Sequence, residues 1–210
     1  MTQYSQKDIN EMDFLYRNNL INSCSGFKSA NLIGSKSKNG EENVAVFSSV
    51  THIGSNPPLL SFVCRPTTVV RHTYNNIKET GVFTFNHINE TMIEDAHHTS
   101  AKYDQSISEF DATNLKSEYK KNCFAPFVKS APIQLEMAFK EEYHIKANGT
   151  ILVIAEIKNL YVNNDLLEKD GFINLSKANI AAINGLDAYA IPKLKTRLEY
   201  QRPKTVISEQ

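Results

Sequence analysis

The chain has 210 residues, 23 Lys plus Arg balanced by 23 Asp plus Glu, and a 41% hydrophobic composition. That length suits one large domain or two small ones, and the neutral balance argues against a protein held on nucleic acid by a basic surface. No run approaches the roughly 20 apolar residues of a membrane span, and MTQYSQKDINEMDF lacks the apolar stretch of a signal peptide, so a soluble, cytoplasmic protein is expected.

Residues 6–20 place Ile9, Met12, Phe14, Leu15 and Leu20 in a weak helical pattern that fits a helix or an extended arm. Leu32 and Ile33 start a first strand, Asn39-Gly40 is a turn, and 43–50 returns as the second strand of a hairpin. Ser48, Ser49, Thr51 and His52 crowd the end of that strand, a pattern that suits a polar ligand edge as well as plain structure. Asn56-Pro57-Pro58 forces an extended turn, and Leu59–Val63 resumes the sheet. Cys24, Cys64 and Cys123 form neither a disulfide framework nor a CxxC pair, and Cys64, at the end of an apolar run, reads as a buried small hydrophobe. Arg65, Arg71, His72 and Thr73 then precede a short helix over 74–80 that stops at Gly81, with Thr73 as its N-cap. Free amide donors with an arginine beside them suit a phosphate monoester, although the same residues also fit an ordinary cap with solvated arginines.

Val82, Phe83 and Phe85 mark a third strand, after which the polar stretch 87–122 predicts short helices near 89–97 and 106–112, started by Asn89 and Ser106. Such an insertion is expected to cover a sheet face or a barrel end. His87, His97 and His98 fall here with Glu94 and Asp95, but no HExxH spacing exists and no metal is expected. Ile133, Leu135 and Met137 alternate, Asn148-Gly149 turns the chain, and 150–162 is its most strand-like segment. SKANIAAIN predicts a brief helix ending near Asn184-Gly185, and the tail that follows is weakly patterned, with its last few residues expected to be loose. The sum is a mainly β protein, an antiparallel barrel of about six strands with short helical insertions. One domain spans 1–210, with 87–122 as an insertion and 186–210 as a tail.

Nucleophilic and dinucleotide-fold chemistries find no motif, since GxSxG, Walker and GxGxxG patterns are all missing. Glu41-Glu42 and Glu141-Glu142 read as solvated surface. The residues alone lead to a barrel that binds a phosphorylated planar or polar ligand.

Taken in order, Asn43-Val44-Ala45 with Ser48, Ser55-Asn56-Pro57-Pro58-Leu59, Arg65-Pro66, Arg71-His72-Thr73, Asn76-Ile77 and Thr80-Gly81-Val82-Phe83 resemble the flavin reductase-like family. Ser100-Ala101, Ser108-Glu109-Phe110, Ala131-Pro132-Ile133 and Gly185-Leu186-Asp187 extend the likeness over most of 20–190. The resemblance implies an FMN-binding split barrel, a homodimer with FMN at its interface, and NADH or NADPH as a transient hydride donor to flavin or another small acceptor. It further implies that Asn43, Ala45, Phe47, Ser48 and Ser49 line the flavin, and that Cys64, Arg65 and Pro66 flank it. Arg71, His72 and Thr73 would approach the phosphate or ribityl chain, and Tyr103 or Tyr189 would cover a ring face. No catalytic acid or base is required, because the ring carries the electrons. Two alternatives stay open: a non-catalytic FMN carrier or sensor, and an enzyme like the pyridoxamine phosphate oxidases.

Overall fold

The computed structural model describes residues 1–203, so the expectation for the last few residues of the tail lies largely outside the described chain. The N-terminal segment forms two helices, α1 (Gln6–Glu11) and α2 (Phe14–Ser23), each started by a capping side chain. Ser5 and Asp8 close a capping box on α1, and the Asp13 carboxylate accepts the Leu15 and Tyr16 amides at the head of α2. Neither helix buries a residue. No helix among the described residues is long and apolar enough to cross a membrane.

The strands are β1 (Lys28–Ser29), β2 (Asn31–Lys36), β3 (Glu42–Phe47), β4 (Thr51–Ser55), β5 (Pro58–Cys64), β6 (Val82–His87), β7 (Ser117–Glu118), β8 (Phe127–Val128), β9 (Ile133–Ile145), β10 (Thr150–Val162), β11 (Ala182–Asn184) and β12 (Ala188–Ala190). Seven of them form one antiparallel sheet in the order β3-β2-β6-β9-β10-β5-β4, one more strand than expected. The extra strand is β4. Hydroxyls and His52 disguise it, but it pairs with β5 across the Asn56-Pro57 turn, whose peptide is cis. The predicted 43–50 strand stops at Phe47, and residues 48–50 bend toward β4. The remaining helices are α3 (His72–Thr80), α4 (Ile93–His98) and α5 (Glu109–Ala112).

Strand alternation sends neighbouring side chains into two cores. Ile33, Phe62, Phe83, Phe85, Ile133, Met137 and Val153 fill one face. Leu32 and Val44 point the other way, against Ile88, Met92, Ala96 and Phe110. The 87–122 insertion therefore covers a sheet face, as its polarity and position suggest. Its second helix starts later than expected: Ser108 accepts the Phe110 amide, while Ser106 bonds to Asp104. The segment near 180 is not the brief helix expected. A single 3-10 turn at Leu175–Ala178 gives way to β11, which pairs with β1 and β12, so strand partners override a weak helical pattern.

Gly34 shows how tightly the segment leading into β8 is joined to the sheet. A Cβ there would lie 2.2 Å from the Pro126 carbonyl oxygen and 2.6 Å from Thr84 Oγ1. Only a glycine lets that loop approach the sheet so closely. Asn86, fully buried, donates to the Leu32 carbonyl and accepts the Val128 amide, which ties β8 to the sheet.

Candidate functional site

The end of β3, the end of β5, the start of α3 and the insertion surround an open groove of about 850 Å³. Of the thirteen residues singled out from the sequence, Asn43, Ala45, Phe47, Ser48, Ser49, Cys64, Arg65, Arg71, His72, Thr73 and Tyr103 line it. Pro66 and Tyr189 do not. Pro66 stands behind the wall, where its carbonyl accepts Arg71 Nε at 3.3 Å and steadies the loop. Tyr189 lies one shell out, with its hydroxyl 3.2 Å from Nδ1 of His97, a groove residue.

The helix at the groove differs from expectation in its first residues. It begins at His72, Arg71 occupies the N-cap position, and no side chain caps it. Thr73 is buried in the first turn, where its hydroxyl accepts Asn43 Nδ2 at 2.9 Å. That bond crosses from α3 to β3. Among the described residues no side chain caps the first-turn amides, which leaves donors free at the end of α3 where Arg71 lies. Gly81 ends the helix in the left-handed conformation at φ 74°, and its amide reaches the Ile77 carbonyl.

β3 is an edge strand, yet its outer amides are not bare. Glu109 accepts the Val44 N–H at 3.1 Å, and Thr99 accepts the Val46 N–H at 2.9 Å. Two residues of the insertion thus do for β3 what a further strand would do. Ser49 is likewise engaged, donating to the Val63 carbonyl and accepting the Val63 amide. Ser48 makes no such bond among the described residues, so its hydroxyl is left for a guest.

Cys64 lines the groove, and burial pushes its thiol up to about 11, which disfavours the thiolate that a nucleophile needs. Among the described residues no group of three His, Cys, Asp or Glu could hold a metal ion. His97, His98, Thr99, Ser100 and Lys102 come from the insertion, and Leu186 and Asp187 from the tail. Of these, all but His98 line the groove. His98 stands against Tyr103, its Nε2 bonded to the phenol. The polar runs gave no periodic signal for these positions. Only the family resemblance at Ser100-Ala101 and Gly185-Leu186-Asp187 pointed there.

Tyr74 closes one wall, donating to both carboxylate oxygens of Glu142 at 3.0 and 3.1 Å. Burial, then this bond, push the phenol up to about 12. Burial works to raise Glu142, but hydrogen bonds from Lys78, Tyr74 and His144 outweigh it and hold the carboxyl below its usual 4.5. A depressed folded value stabilises the fold above the unfolded value and is lost as pH falls through the folded one. Glu142→Gln is therefore expected to lower the melting temperature at neutral pH and to flatten the fall in stability below pH 4.5, as thermal unfolding across that range would record.

The fold is an antiparallel split barrel, and its groove brings hydroxyls, two arginines and a helix start together at a volume typical of small-molecule sites. The family model of the flavin reductase like domain matches residues 27–179, and the chain belongs to that family. A candidate flavin reductase with split barrel domain from Shewanella frigidimarina NCIMB 400 is 43% identical, with a TM-score of 0.93 over 96% of this chain and 100% of that one. Nitrilotriacetate monooxygenase component B from Bacillus cereus has the same fold at 22% identity, with a TM-score of 0.82 over 94% of this chain and 98% of its own. An uncharacterized protein of Methanothermobacter thermautotrophicus is 28% identical over 152 residues, which are 70% of this chain and 69% of that protein.

Proposed function

We propose that the chain is an FMN-dependent oxidoreductase that accepts a hydride from NADH or NADPH and passes electrons to free flavin or another small acceptor. The observation that carries this reading is the meeting, in one groove of about 850 Å³, of the β3 end with Arg65, Arg71, His72 and the start of α3. The volume falls in the range of small-molecule and cofactor sites, and the donor set fits a phosphate monoester at one end and a polar planar edge at the other. The 43% identity to the Shewanella protein over nearly the whole chain supports a flavin-reducing role.

In this reading Arg71, Arg65 and the first-turn amides of α3 hold the phosphate, while Thr73 keeps the helix in register with β3 through Asn43. Ser48 and the backbone around Ala45 and Phe47 meet the polar ring edge. Bound FMN would supply the two-electron chemistry, so no side chain has to act as acid or base. Tyr103 and the His97–Tyr189 pair stand at the insertion and tail side of the site, where they narrow access and exclude water. The chain works as a homodimer in the cytoplasm, with FMN at the interface. Physical support for pairing comes from α1 and α2, which leave Phe14, Leu15 and Tyr16 exposed and contain no fully buried residue, a poor arrangement for a free short helix.

The test is a visible spectrum of protein mixed with FMN, desalted, and recorded anaerobically before and after NADH or NADPH. A retained flavin band that bleaches on a catalytic timescale is the expected result. A retained band that stays would favour a carrier or sensor. No retained band would overturn the reading and turn attention to pyridoxamine phosphate.

A further inference from the structure

Glu109 has the least expected setting of any group in the groove wall. It opens α5 at 6% exposure and forms no ion pair among the described residues. Its one bond across to the sheet is the Val44 amide, 3.1 Å away. A second, smaller cavity shows what faces it: Glu41, Glu42 and Asn43 from the β3 side, His72 and Asn76 from α3, and Asp104 and Gln105 from the preceding loop. Glu41 and Asp104 are exposed and Glu42 is partly so, which screens their charges. Glu109 is the buried carboxyl of this set. It also borders the main groove together with Arg71, His72 and Thr73.

Burial pushes the Glu109 carboxyl up, against its backbone hydrogen bonds and the pull of His72. Such a group is costly to keep charged, and an anion arriving at the adjacent end of α3 makes its charge costlier still. Protonation removes that repulsion without releasing the strand. A neutral carboxyl keeps an oxygen for the Val44 N–H and gains an O–H donor.

We infer that Glu109 is a positioning residue that determines specificity by charge: it takes up a proton when a phosphate ester occupies the α3 end of the groove, holding β3 in place in both states. This rests on the FMN reading of that groove. The uncharged analogue riboflavin, which lacks the phosphate, should not draw the proton. Binding of the phosphorylated ligand then weakens as pH rises, because the carboxyl must be neutralised against an increasing cost.

Calorimetric titration of FMN and of riboflavin, in pairs of buffers with different ionisation enthalpies between pH 5 and pH 8, counts protons taken up per ligand. Wild type and Glu109→Gln are compared, since glutamine keeps an acceptor for Val44 and cannot titrate. His72 feels the Glu109 charge, so the pair is also compared in a His72→Gln background, and a difference in proton count that persists there belongs to Glu109. Wild type is expected to take up more protons with FMN than the variant, with no difference for riboflavin. The variant should bind FMN on the order of tenfold more tightly at pH 8, the equivalent of about one pKa unit, and the gap should narrow as pH falls. Equal proton counts in the two proteins would overturn the inference while leaving FMN binding intact. If the variant does not fold, infrared difference spectra of wild type decide instead. A protonated-carboxyl band that grows as FMN is added supports the inference, and its absence overturns it. No saturable heat with FMN in either protein would overturn the FMN reading, and this inference with it.

Discussion

Phe62→Ala is expected to remove about 3–5 kcal/mol of folding stability, the usual cost of truncating a buried phenylalanine. Phe62 is 1% exposed in β5 and sits at the centre of an aromatic group. Its ring meets Phe47, Phe83 and Phe85 edge to face at 5.2, 5.8 and 6.0 Å between centroids, joining three strands of the sheet. Such pairs contribute beyond the area they bury. Phe47 also lines the groove, so losing Phe62 leaves that groove side chain without its support. Urea unfolding should show a lower midpoint with an unchanged slope, and Phe62→Leu, which retains most of the volume, should lose less than half as much. A loss below about 1 kcal/mol for alanine would mean that the site collapses fully and that Phe62 does not organise this core.

That core was legible in the sequence because strand alternation writes itself in apolar residues. Leu32 and Ile33, Phe83 and Phe85, and the long run after Asn148-Gly149 all occupy the strands expected of them. β4 was not legible, because an edge strand with THIGS facing solvent has no apolar face to display. The site divides in the same way. Residues carried by strand ends or by the α3 start could be picked from hydroxyls and arginines before a helix. Glu109 and Thr99 could not, since their role is to satisfy the amides of a strand more than 50 residues earlier, a tertiary relation without local periodicity. Thr73 falls between these cases. Its place in the sequence suits a helix cap, but its hydroxyl accepts Asn43 across to β3, and the helix starts one residue before Thr73, at His72.

Arg71→Ala is expected to weaken FMN binding about 10- to 100-fold, the range for losing a hydrogen bond to a charged group. Arg71 stands at the N-cap position of α3, where no side chain caps the helix. Among the described residues only Nε is committed, to the Pro66 carbonyl, which leaves the terminal guanidinium nitrogens for a ligand in the groove. Two separate roles can be distinguished by choosing the ligand. If Arg71 meets the phosphate, riboflavin binding changes little while FMN binding falls. If Arg71 works only by fastening the 65–71 loop, both ligands weaken together, because the groove wall itself shifts. Arg71→Lys sharpens the comparison: a lysine keeps the charge but loses the planar fork, and is expected to recover part of the FMN affinity without restoring the Pro66 bond. Fluorescence quenching of each flavin against the three proteins would give all six affinities. A riboflavin loss as large as the FMN loss would reassign Arg71 from ligand contact to loop support and leave Arg65, exposed at the groove rim, as the cation that meets the phosphate.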